Sequence, residues 1–156
     1  MSSPAQFRSR ESVRDSSTTA ALHLRGSRKG FTEARDFTLR TLGGWSLGHC
    51  ADDTATVVTE LAANAVLHGL PYPSTEHFDV RLRLTLRRRH VMCAVTDPSD
   101  ALPVYLRPGD DLLGDGLQEH GRGLHIVEAL SEHWGWTRRS PVGKTVWAML
   151  PTRTPC

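Results

Sequence analysis

The chain has 156 residues, 38% hydrophobic and 23% charged, with a formal net charge of +2. That length holds one globular domain around one core, and the charge is too small to argue for a direct nucleic-acid partner. Cys50, Cys93 and Cys156 are odd in number and form no C-x-x-C pair, so neither a disulfide framework nor a zinc knuckle is expected and a reducing cytoplasm fits better. No apolar run is long enough to cross a membrane.

Residues 1–17, MSSPAQFRSRESVRDSS, are rich in Ser and Arg and nearly empty of large apolar side chains. They read as a disordered tail, and without an apolar segment they are not a secretory signal. A single domain is expected over 18–151, followed by a short tail. TTAALHLRG (Thr18–Gly26) reads as a first strand ended by glycine. From Phe31 to Trp45, the residues Phe31, Ala34, Leu39 and Leu42 recur at mostly helical intervals, and Gly43-Gly44 closes the helix. Asp52-Asp53-Thr54 suits a second helix N-terminus, and that helix runs to His68.

Leu70–Thr75, with two prolines, is a loop. Phe78–Arg89 alternates Val80, Leu82, Leu84 and Leu86 against Arg81, Arg83, Thr85 and Arg87, a half-buried strand with a basic outer face. The arginine row lacks the interleaved aromatics of a single-strand nucleic-acid platform and reads as a solvated sheet face. Val91–Asp97 is more uniformly apolar, hence central, and the turn at Arg88–His90 joins the two as an antiparallel hairpin. Pro98–His120 is irregular and rich in Pro and Gly, the character of a lid or binding loop. Gly121–Trp134 reads as a glycine-opened helix with Leu124, Ile126, Val127 and Leu130 inward. Trp134–Arg138 and Thr145–Leu150 read as two strands around a Ser140–Gly143 turn. The order predicts an α+β two-layer sandwich, one mixed and mainly antiparallel sheet with helices on one face.

The candidate chemistry lies in separated pieces. Glu60, Asn64 and His68 stand four apart in TELAANAVLHG, which puts them on roughly one helix face beside an apolar face of Leu61, Ala62, Ala65 and Val66. By itself such a stripe is also what a solvated flank looks like. Asn offers a hard amide oxygen for Mg²⁺, an ion that keeps several waters and is shared with substrate phosphates. Glu one turn earlier can orient or deprotonate a nucleophile. Asp97 at a strand end can accept a hydrogen bond from an exocyclic amine such as adenine's. Gly121-Arg122-Gly123 at a helix start lets backbone N–H groups approach phosphate. Lys144 beside Thr145 reads as a solvated turn residue, and His125 as packing or surface.

Taken in order, ELAANAVLHG, VTDPS, HGRGLHIVEALSEHW and GKTVWAML resemble the GHKL (Bergerat-fold) ATPase superfamily from about Thr18 to Leu150. The motifs E-L-x-x-N-A-x-x-H-G and H-G-R-G-L-x-I-V are most similar to those of bacterial anti-sigma-factor serine/threonine kinases. The resemblance implies ATP and Mg²⁺ as cofactors, Asn64 holding the metal and Glu60 as catalytic base. It implies Asp97 at the adenine amine, Gly121, Arg122, Gly123 and Leu124 along the phosphates, and Thr145 supporting the adenine end. Arg122 could also pair a phosphate oxygen. A role for His68 is open between nucleotide contact and helix-end scaffolding. The implied partners are a sigma factor and an anti-anti-sigma protein, with the chain as a homodimer in the cytoplasm. One departure stands out: the family's first glycine box is usually D-x-G-x-G, whereas this chain has Asp97-Pro98-Ser99. Ser99 in place of glycine leaves two readings open, a serine-protein kinase and a non-catalytic ATP-binding anti-sigma module.

Overall fold

A computed structural model describes residues 18–24, 28–69, 80–99 and 124–153, with backbone alone for residue 28 and residues 67–69. Strand β1 is Thr19–Leu24, helix α1 Arg28–Gly44 and helix α2 Ala51–Gly69, the helices linked through a 3-10 turn at Gly48–Cys50. Strands β2 (Val80–Leu86) and β3 (His90–Asp97) follow, then helix α3 over 124–130, β4 (His133–Arg138) and β5 (Lys144–Pro151). Among the described residues the sheet order is β1-β2-β3-β5-β4 and every pairing is antiparallel. The expected α+β sandwich is the observed architecture, with an antiparallel sheet and β3 at its centre.

Strand alternation explains the layering. In β3, Val91, Cys93, Val95 and Asp97 are buried while the residues between them are not; in β5 the buried set is Lys144, Val146, Ala148 and Leu150. Side chains two apart share a face, so one sheet face is dry and the other open. The dry face meets Ala34 and Leu42 of α1, Val57, Val58, Leu61, Ala62 and Ala65 of α2, and Leu124 and Val127 of α3 in one core. Arg81 and Arg83 point the other way and are exposed, as expected of a solvated basic face.

Several boundaries differ from the sequence reading. Helix α1 begins three residues before Phe31, because Arg28-Lys29-Gly30 carry no apolar period that could mark them. At its end, the Trp45 N–H returns to Thr41 O at 3.0 Å and the Leu47 N–H to Leu42 O at 2.8 Å, closing the helix after Gly44. Ile126, expected inward, is 37% exposed. Leu124 and Val127, three apart, define the buried stripe of α3, and a residue two places from Leu124 falls on its far side. Trp134 belongs to β4 rather than to the helix: the Ser131 N–H still bonds Val127 O at 2.9 Å, but the next, Glu132 N–H, bonds Met149 O of β5 at 2.8 Å. The expected tails at 1–17 and 154–156, the 70–75 loop and most of the 98–120 segment lie outside the described residues.

Candidate functional site

Helix α2 is built from its acidic first turn, with Asp52 and Asp53 against the positive end of the helix dipole. Its hydroxyls are absorbed locally. Thr54, Thr56 and Thr59 donate to the carbonyls of Cys50, Asp52 and Ala55 at 2.7, 3.0 and 2.8 Å. Asn64 is different. It is only 4% exposed, sits among the apolar residues that face the sheet, and among the described residues neither its Oδ1 nor its Nδ2 has a hydrogen-bond partner. A buried amide left unpaired costs about 1–3 kcal/mol, a cost that a ligand on this face would remove. Glu60, one turn earlier, is half-buried, and burial pushes its carboxyl above the ordinary glutamate range.

Asp97 ends β3 on the dry face and is 2% exposed. Proline at 98 has no N–H to offer, and the Ser99 N–H turns back to Asp97 Oδ1 at 2.8 Å, an Asx turn that fixes the carboxylate. The D-P-S departure therefore replaces a glycine-bearing turn with a self-bonded one. Across the ladder, Asp97 stands opposite Lys144. The Lys144 ammonium lies 3.1 Å from Oδ1 in a hydrogen bond and 3.0 Å from Oδ2. The second approach is an ion-pair contact without hydrogen-bond direction, so Oδ2 keeps an open acceptor among the described residues. Burial pushes the Asp97 carboxyl up, opposed by Lys144 and the Ser99 N–H.

Lys144, read from sequence as a solvated turn residue, is 1% exposed. The turn before it explains why. Gly143 has φ of +105°, and a Cβ there would lie 2.5 Å from Asp97 O. Only glycine brings the β4–β5 turn this close to the end of β3, and the next residue is then directed at the Asp97 carboxylate. Strand parity then sets its surroundings: Lys144 shares its face with Val146, Ala148 and Leu150.

The same parity decides which face Thr145 takes. Expected at the adenine end, it lies on the open face, where its Oγ1 is 2.8 Å from Thr96 Oγ1. It does not share a face with Asp97; Lys144 holds that place. With Ala21, His23, Arg81, Arg83, Ala94, Thr96 and Arg139, Thr145 lines a shallow basic groove on the open face. The structure thus places Asn64, Asp97 and Leu124 on the interior between helices and sheet, Glu60 at its half-buried border, and Thr145 outside it. Leu124 is fully buried in the core. Gly121, Arg122, Gly123 and the His68 side chain lie outside the described residues. Among the described residues no group of three or more His, Cys, Asp and Glu could hold a metal ion. Any Mg²⁺ at Asn64 would therefore need most of its oxygens from water and phosphate, the usual arrangement for that ion.

Residues 27–150 match the family model described as a histidine kinase-like ATPase domain. No curated protein sequence matches the chain. Among solved structures, the chain is similar to the histidine kinase domain from Erythrobacter litoralis EL346 blue-light activated histidine kinase, at 17% identity and a TM-score of 0.46. That similarity covers 76% of this chain and 61% of the other, so the assignment rests on the family model. With most of its length matched, the chain belongs to the histidine kinase-like ATPase domain family of the GHKL superfamily.

Proposed function

We propose that the chain is an ATP-binding regulator of transcription: an anti-sigma factor that acts as a homodimer, binds a sigma factor, and phosphorylates a serine of an anti-anti-sigma protein. The observation that carries the reading is the buried amide of Asn64, unpartnered among the described residues, set one helical turn from a carboxyl that burial pushes up. An orphaned polar side chain on an otherwise apolar face is costly in the free protein and is the kind of group retained for a ligand. Mg²⁺ held by the Asn64 oxygen together with the nucleotide phosphates would offset phosphate charge during transfer. Glu60, its proton affinity moved toward neutrality, suits removal of the proton from an incoming serine hydroxyl. Asp97 Oδ2, with its open acceptor, suits the amine of adenine.

The test is transfer of radiolabelled phosphate from ATP, in the presence of Mg²⁺, to an anti-anti-sigma protein from the same genome. Wild type should label the partner and Glu60→Ala should not, while the variant keeps its ATP affinity. Undiminished labelling by Glu60→Ala refutes the base assignment. ATP binding without labelling by wild type would support the non-catalytic module instead.

A further inference from the structure

Lys144 and Asp97 form a buried pair whose hydrogen-bonding capacity is only half used. The ammonium carries three N–H donors, and its hydrogen bond to Asp97 Oδ1 uses one of them. Asp97 Oδ1 accepts from the Ser99 N–H and Lys144, whereas among the described residues Oδ2 has no directed hydrogen bond. Ammonium N–H groups beyond that bond therefore stand beside a carboxylate oxygen with an open acceptor among the described residues, about 3 Å away, on two side chains that water barely reaches. Buried donors and acceptors left unmade are expensive, more so for charged groups. The complementary object is a planar edge with an N–H donor adjacent to a lone pair. The 6-amino and N1 positions of adenine form such an edge.

We propose that Lys144 is a second base-reading residue: its ammonium donates to N1 of adenine while Asp97 Oδ2 accepts from the 6-amino group. This rests on the ATP-binding reading above and adds to it a direct, charged contact to N1 from this chain. The pair is neutral as a whole, so it matches a neutral base edge without leaving a net charge buried. The turn that positions it is fixed by Gly143, whose Cβ would strike Asp97 O.

The experiment compares the Kd of ATP with that of 1-deaza-ATP, in which N1 is replaced by C–H, for wild type and Lys144→Met by calorimetry. Wild type should bind 1-deaza-ATP about ten- to a hundredfold more weakly, the scale of a lost hydrogen bond to a charged donor. In Lys144→Met that penalty should vanish. Should the variant fail to fold, the wild-type comparison decides by itself. Equal affinity of wild type for the two nucleotides overturns the proposal, as does a deaza penalty that persists undiminished in Lys144→Met. Failure of wild type to bind ATP at all overturns the ATP-binding reading and this inference with it.

Discussion

Lys144→Met removes the cation from a carboxylate that is 2% exposed and whose other directed contact is one backbone N–H at 2.8 Å. Breaking a buried ion pair from one side costs about 3–5 kcal/mol, because the remaining charge is left without its counter-ion. Domains of this size have a total stability of about 5–15 kcal/mol, so the variant should remain folded but lose a large part of its margin. Asp97→Asn should cost a similar amount by stranding the ammonium. The double variant Asp97→Asn/Lys144→Met should fall well short of the sum, because it keeps an acceptor for the Ser99 N–H and leaves no charge. Urea unfolding followed by tryptophan fluorescence, with all four proteins in one cycle, measures the coupling. The expected coupling is about 2 kcal/mol or more, and additive singles would refute the pair as an energetic unit. The pH dependence gives a second check. An unpaired buried carboxyl has a folded-state pKa raised above its ordinary 3.8. Its protonated form then favours the folded state, so stability is present at low pH and lost as pH rises through the raised value. The deficit of Lys144→Met should therefore be larger at pH 8 than at pH 4.5, and a deficit independent of pH would contradict the mechanism.

Three further outcomes follow from the same site. Asn64→Leu replaces an orphaned amide with an apolar side chain of similar size, so thermal unfolding of the free protein should show a gain of about 1 kcal/mol. The same variant should lose the stabilisation of about 2.7 kcal/mol expected for wild type at a hundredfold excess of ATP over Kd, and an unchanged ATP shift would count against the metal role. Glu60→Gln should raise Tm at pH 7, since burial pushes the folded-state carboxyl above its ordinary 4.5 and the ionised form opposes folding. That advantage should shrink as pH falls toward 4.5, the reverse of a salt-bridged glutamate, and a Tm scan against pH reads it directly. Gly143→Ala should destabilise by more than about 1 kcal/mol in urea unfolding, because φ is +105° and the new Cβ would meet Asp97 O at 2.5 Å.

Much of the fold was legible as motif and period. Helical spacing puts Glu60 and Asn64 on one face, and the order of motifs after them singles them out; Val80–Leu86 alternates so regularly that its arginines read as a solvent face. The hairpins needed only local turn signals. Those features depend on neighbours a few residues away, which is the range over which local geometry is set.

The pairing of Asp97 with Lys144 could not be had that way. The two are far apart in the chain, and their contact exists because β5 inserts between β3 and β4 in a register that places residue 144 opposite residue 97. Which side of the sheet is dry is settled by the helices packed on it, and that choice turned Lys144 inward and Thr145 out. A uniformly apolar β3 gave no parity to read, and Ile126 reads inward from sequence because the adjacent apolar residues Leu124, Ile126 and Val127 do not by themselves declare one stripe. The sequence by itself determined the family, the order of elements and the helix that carries Glu60 and Asn64. Only the tertiary structure decided what stands beside the carboxylate of Asp97, since long-range register, unlike local periodicity, has no short-range signature.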